Sequence, residues 1–371
     1  MLVPVTMRLC NNAALAALLA GAVLMLPAQQ KPASPPPGAQ TPAVQPVPAQ
    51  PPSLTEDSDP VRSPDITGPS LDGSSLKKEG SGYVLRADVE EVVLNCTVLD
   101  GVKIVQDLKK ENFKVTEDGV PQAVISFQHT DLPVSIALVI DNSGSMYKKR
   151  PSVNKAALDL VQASNPQDEA FVVNFSDEAF IDQEFTSDIN QLRDGLSHID
   201  SRGGTALYDA VVASADKLVA DAKRPKQVLV IITDGEDNAS TLNLEQTIRR
   251  VQELSGPVIY AVGLLFGDES SRADIRHARR ALELLSTETG GLAYFPRSME
   301  QVDEIAAEVA RDVRSQYTIG YRSTKPTTEP GFRHVQVTAE SAGKNKLTVR
   351  TRTGYFPATP RAKAKKSAVN N

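Results

Sequence analysis

Three short stretches of this 371-residue chain carry the oxygen atoms that can do chemistry. Asp141-Asn142-Ser143-Gly144-Ser145 places a carboxylate and two hydroxyls at alternate positions, Gly203-Gly204-Thr205 offers another hydroxyl, and Thr233-Asp234-Gly235 offers a second carboxylate. Such oxygens are hard donors, chosen by Mg²⁺ first, with Mn²⁺ or Ca²⁺ as alternatives. Nothing soft accompanies them, which counts against zinc; His129, His198, His277 and His334 are scattered without ligand spacing. Two carboxylates only just balance a divalent ion, so the metal stays electrophilic and keeps a position open for a carboxylate from outside. That is the chemistry of recognition rather than of storage. Each piece also has a plainer use, Asp141 and Thr205 as helix caps and Asp234-Gly235 as a turn. Their conjunction, in this order, points to a site.

Something rigid must hold the three stretches. The runs Val134 to Ile140 and Val228 to Ile232 show no polar alternation, as strands buried on both faces do. With further strand-like runs at 170–175 and 257–263, they alternate with helices expected at 152–163, 189–199, 206–222, 243–254, 275–289 and 299–314. The alternation predicts an α/β fold over 131–315, a doubly wound, mostly parallel sheet covered on both faces. Ligands of such sheets sit beyond the carboxyl ends of the strands, where Asp141 and Asp234 fall.

On either side the period changes to that of short half-buried strands. Residues 81–130 contain Val92 to Leu99 and Phe113 to Val115, with Asp118-Gly119 as a hairpin signal. Residues 316–358 alternate at Tyr317, Ile319 and Tyr321, at Val335 and Val337, and at Leu347 and Val349. Neither set makes a core alone. The expectation is one small β-sandwich built from both, with the α/β region inserted in it.

The ends read differently again. Residues 1–28 resemble an export signal, with Arg8 ahead of an apolar run at 13–26 that is shorter than a spanning helix needs. Cleavage after Ala28 and retention as an uncleaved tether are the two outcomes, and both place the protein outside the cytoplasm: secreted, periplasmic or in the cell envelope. Residues 29–80 form a linker expected to be disordered, since 12 of the 25 prolines lie between 31 and 70 with few large apolar residues among them. Residues 359–371, with Arg361, Lys363, Lys365 and Lys366, are expected to be a disordered basic tail, with association to an anionic membrane or envelope surface as the alternative. A formal charge of −6 argues against general nucleic-acid binding. Loss of Cys10 with the signal leaves Cys96 alone, so no intramolecular disulfide is expected.

The central region resembles the von Willebrand factor A (VWA) family, whose metal-ion-dependent adhesion site has the form Asp-x-Ser-x-Ser with a Thr and an Asp from two later loops. Asp141, Ser143, Ser145, Thr205 and Asp234 match those five positions. The resemblance implies a metal at the top of a doubly wound sheet and a partner's Glu or Asp completing its shell, with Asn142, Gly204 and Glu236 as candidates for the rim that meets the partner. Through its signal, Glu117-Asp118-Gly119 and Gly354-Tyr355-Phe356, the whole chain also resembles VWA-related proteins of acidobacteria. The leading function is metal-dependent capture of an acidic protein or glycan, without enzymatic activity. A metal-assisted hydrolase and a structural subunit of an envelope assembly are the alternatives. No general base is suitably placed for hydrolysis, and the motif serines lack the Gly-x-Ser-x-Gly elbow of serine hydrolases.

Overall fold

The computed structural model describes residues 91–357 apart from 164, 198–200, 255, 267–270 and 344–345, together with the backbone of 54–56, 59–61, 77–79 and 82–84. The expected signal at 1–28, most of the expected linker and the basic tail lie outside the described residues. Within the expected linker, β1 (Leu54–Glu56) and β2 (Asp59–Val61) pair antiparallel, and across its expected end at residue 80 β3 (Lys77–Glu79) pairs antiparallel with β4 (Gly82–Val84).

The next strands are β5 (Glu91–Asp100), β6 (Lys103–Ile104), β7 (Phe113–Glu117), β8 (Val120–Gln122) and β9 (Val124–Gln128). Asp118 and Gly119, both with positive φ, make the turn between β7 and β8, as two-residue hairpin loops require. The α/β region then runs β10 (Val134–Asp141), α1 (Arg150–Gln162), β11 (Glu169–Phe175), β12 (Ala179–Thr186), α2 (Ile189–Ser197), α3 (Leu207–Asp221), β13 (Lys226–Thr233), α4 (Leu244–Leu254), β14 (Val258–Gly263), α5 (Arg272–Thr289), β15 (Ala293–Tyr294) and α6 (Val302–Arg314). After it come β16 (Tyr317–Arg322), β17 (Arg333–Ala339), β18 (Thr348–Arg350) and β19 (Gly354–Tyr355).

The large sheet has the order β15-β14-β13-β10-β11-β12-β1-β2. From β15 to β11 every pairing is parallel, and β12 turns back antiparallel to β11. Every residue of β10 is buried, and alternate side chains feed two cores. Ile136, Leu138 and Ile140 pack beneath α1, α2 and α6, while Ala137 and Val139 pack beneath α3, α4 and α5. Covering both faces of β10 and β13 is what makes their sequences continuous apolar runs. α5 begins at Ser271, whose hydroxyl accepts from the Asp274 amide, and ends at Gly290 with φ 87°. A Cβ at Gly290 would stand 2.6 Å from the Thr351 carbonyl carbon, so this close approach to the C-terminal strands admits only glycine.

The flanking strands form two further sheets. One has the order β18-β5-β16-β9, with β6 on β5, and the other has the order β19-β17-β7-β8. In both, strands from before and after the α/β region pair directly: Tyr317 opposes Cys96, Thr318 opposes Gln128, and Val337 opposes Val115. The two sheets share one apolar cluster that includes Leu94, Cys96, Phe113, Val115, Ile319, Tyr321 and Val337. Cys96 is fully buried in it, and burial pushes its thiol up to about 12. Because the thiolate is the reactive form, Cys96 should resist alkylation at pH 8 in the native protein and react fully in denaturant, read by peptide mass mapping. Rapid native labelling at Cys96 would contradict this packing.

Candidate metal centre

The sheet reverses its direction of growth at β10, which is followed in sequence by β11 on one side and later paired by β13 on the other. A crevice opens beyond the carboxyl ends at such a switch point. Asp141 is the last residue of β10, and Asp234 follows the last residue of β13. Parallel pairing of the two strands, with Ile140 opposite Ile232, brings the two acidic positions to the same edge.

The oxygens form a connected chain. The Ser143 amide donates to Asp141 Oδ1 at 2.8 Å, and the Ser143 and Ser145 hydroxyls lie 3.2 Å apart. Ser145 Oγ donates to Asp234 Oδ1 at 2.7 Å. Thr205 enters from the loop before α3. Its amide donates to Asn238 Oδ1 at 2.9 Å, and its carbonyl accepts from the Asn238 amide at 3.0 Å. A Cβ built on Gly235 would lie 3.6 Å from the Thr205 hydroxyl, so that hydroxyl stands against the turn carrying Asp234. Asp141, Ser143, Thr205 and Asp234 are buried, and Ser145 is exposed.

Several residues that the sequence reading passed over hold this arrangement. Thr233 Oγ1 donates to Asp141 Oδ2 at 2.5 Å, tying the end of β13 to the end of β10. Lys149 Nζ lies 2.6 Å from Asp234 Oδ2. Arg150, the first residue of α1, is fully buried with Asp182 and Asp141 as its nearest opposing charges, and burial pulls its guanidinium down to about 10. Its nitrogens make no hydrogen bond to the described residues. Thr233 was visible as part of Thr-Asp-Gly, and Lys149 as a basic residue just ahead of α1, but neither contact follows from sequence spacing.

The three expected rim residues have separate roles in the fold. Asn142 donates its amide to the Phe175 carbonyl at 2.7 Å and accepts from the Arg202 amide and the Ser201 hydroxyl, bracing the exit of β10. The Gly204 amide donates to Asp177 Oδ1 at 2.7 Å. Glu236 pairs with His277 at 3.2 Å on the exposed side. Of the other histidines, His129 stacks on Tyr317 and His334 meets Phe332 edge-on, while His198 lies outside the described residues.

Electrostatics favour a cation here. Burial pushes the Asp141 carboxyl up to about 6; hydrogen bonds from Thr233 and Ser143 oppose that rise, and the nearby Asp234 charge adds to it. Positive charge placed between the two carboxylates offsets both burial and repulsion. Lys149 brings a positive charge to Asp234, and the carboxylate and hydroxyl donors are of the kind a hard cation takes. Among the described residues no group of three or more His, Cys, Asp or Glu side chains gathers to hold a metal, here or elsewhere; this candidate set has two carboxylates and depends on hydroxyls for the rest.

Residues 136–236, which span β10 through the Asp234 turn, match the von Willebrand factor type A domain. The chain carries a VWA domain. Human inter-alpha-trypsin inhibitor heavy chain H4 is 25% identical over 224 residues, covering 55% of this chain and 23% of that one. The VWA-containing chain thus spans under a quarter of that relative's length. Among solved structures, von Willebrand factor type A from Catenulispora acidiphila is similar at 13% identity, covering 73% of this chain and 74% of that chain with a TM-score of 0.42. Proximal thread matrix protein 1 from the mussel byssus, described with a zinc-occupied MIDAS motif, is similar at 17% identity, covering 54% and 50% of the two chains with a TM-score of 0.42.

Proposed function

We propose that this is an exported binding or adhesion protein whose VWA domain captures an acidic group of a protein or glycan through a divalent cation, Mg²⁺ foremost. The observation that carries the reading is the continuous run of oxygens from Asp141 through Ser143 and Ser145 to Asp234, with Thr205 against the same turn. On this reading the five residues are a complete metal-ion-dependent adhesion site, and the strands of 81–130 and 316–358 are a β-sandwich that carries it. When bound, the cation supplies a Lewis-acidic position for an incoming carboxylate. The chain's own residues set the geometry. Thr233 fixes the Asp141 carboxylate, the β10–α1 loop presents two hydroxyls, and Asn238 holds the Thr205 backbone from both sides. The exposed Tyr147 ring, two residues beyond Ser145, adds an apolar surface a partner can cover.

The test is capture of envelope proteins or acidic glycans by the full-length chain in Mg²⁺, Mn²⁺, Ca²⁺, Zn²⁺ or EDTA, with circular dichroism recorded in each. Capture lost in EDTA from a protein that keeps its fold is the expected result. Undiminished capture in EDTA would refute metal-dependent binding, and unfolding in EDTA would assign the metal a bracing role instead.

A further inference from the structure

The two oxygens of Asp234 are both engaged, but by groups of different kinds. Oδ1 accepts from the Ser145 hydroxyl at 2.7 Å, and Oδ2 lies 2.6 Å from the Lys149 ammonium. A hydroxyl has lone pairs and a rotatable proton, so Ser145 can turn its hydrogen away and offer oxygen to a cation without leaving. An ammonium has three donors, no acceptor and a charge of the same sign as a metal. An ammonium on Oδ2 and a divalent ion on the same carboxylate repel one another, so loading favours withdrawal of Lys149 from Asp234.

The surroundings make withdrawal possible for this basic residue and not for its neighbour. Arg150 is fully buried, whereas the Lys149 side chain is 18% exposed, with Nζ 5.8 Å from the centre of the Phe266 ring. The Lys149 backbone is held by donation to the Met146 carbonyl at 2.8 Å, so the side chain can swing without unwinding the start of α1. We propose that Lys149 is a built-in counter-ion of the metal centre: its ammonium neutralises Asp234 when no metal is bound and is released to the rim when the site is loaded. The inference rests on the metal-binding reading above and adds a competitor encoded in the chain. Lys149 lowers the intrinsic affinity for the divalent ion and, in exchange, keeps the metal-free carboxylates from repelling one another.

The test uses the full-length chain. Calorimetric titration of Mg²⁺ should give about tenfold tighter binding for Lys149→Met and Lys149→Gln than for wild type, the scale of one charged hydrogen bond no longer broken on loading. Lys149→Arg, which keeps the charge, should bind no tighter than wild type. The EDTA-to-Mg²⁺ rise in melting temperature should be larger in the Met and Gln variants. In wild type, acetylation of Lys149 followed by peptide mass mapping should be slow in EDTA and several-fold faster in Mg²⁺, a readout that needs no variant to fold. Equal or weaker Mg²⁺ binding by Met and Gln, or acetylation at Lys149 that ignores Mg²⁺, would overturn the role of Lys149 while leaving the metal centre standing. Absence of Mg²⁺ binding in wild type and all variants would overturn the metal centre and the counter-ion together.

Discussion

Asp141→Asn is expected to weaken Mg²⁺ binding at least about a hundredfold, because partners one shell further out than a direct ligand already cost 10–100-fold when removed. The fold should survive. An asparagine in the same place can accept from the Ser143 amide with its oxygen and donate to Thr233 Oγ1 with its NH₂, so both groups now bonded to Asp141 keep a partner. Removing a carboxylate that burial pushes up to about 6 also relieves the metal-free state of a poorly solvated charge. Asp141→Ala differs: Asp141 is fully buried, and alanine strands the Ser143 amide and the Thr233 hydroxyl. That should cost about 1–3 kcal/mol. Titration calorimetry with Mg²⁺ and thermal melts in EDTA separate the two effects, and wild-type affinity in Asp141→Asn would remove Asp141 from the site.

The largest stability effect should come from the other half of the molecule. Glu117, at the end of β7, is fully buried and accepts from Tyr321 Oη at 2.7 Å, Tyr355 Oη at 3.0 Å and Ser323 Oγ at 2.6 Å, with Arg333 Nη1 at 3.6 Å. Glu117 precedes the VWA domain, and all four partners follow it. Glu117→Ala should lower stability by about 3–5 kcal/mol, the usual cost of leaving a buried partner charge unmatched. Glu117→Gln keeps an acceptor and the packing, and should lose clearly less. Urea unfolding followed by tyrosine fluorescence measures both, and a loss below about 1 kcal/mol for alanine would show that the cluster is solvated in a way its burial contradicts.

Much of the α/β region was legible from its residues. The unbroken apolar runs at β10 and β13 are buried along their lengths, and the helix expected at 206–222 is found as Leu207–Asp221, that at 243–254 as Leu244–Leu254. Starts were less exact: α5 begins three residues before the expected 275, at a Ser271 cap whose partner is Asp274 rather than the usual Glu or Gln. β12 was missed altogether. Its sequence, Ala-Phe-Ile-Asp-Gln-Glu-Phe-Thr, mixes polar and apolar residues because the far part of the strand is only half-buried. Within the site, the residue types were readable because loop motifs keep fixed spacing, whereas Lys149 reaching Asp234 depends on where the start of α1 points a long side chain across 85 positions of sequence. No local pattern encodes such a contact.

The way the α/β region joins the strands around it has a mechanical consequence. The chain enters from β9 and returns into β16, which lie side by side with Gln128 opposite Thr318, and Arg314 clasps Asp131 at 2.7 Å across the two connections. A pull on anything held at the far edge of the large sheet therefore reaches the remainder of the protein through two covalent links at once, not one. Each link bears part of the tension, and β9 and β16 are drawn in the same direction, so the load does not peel one from the other like a zipper. Two connections also restrain twisting about the junction, which a single linker would allow. A junction built this way transmits force as a stiff bracket rather than as a hinge.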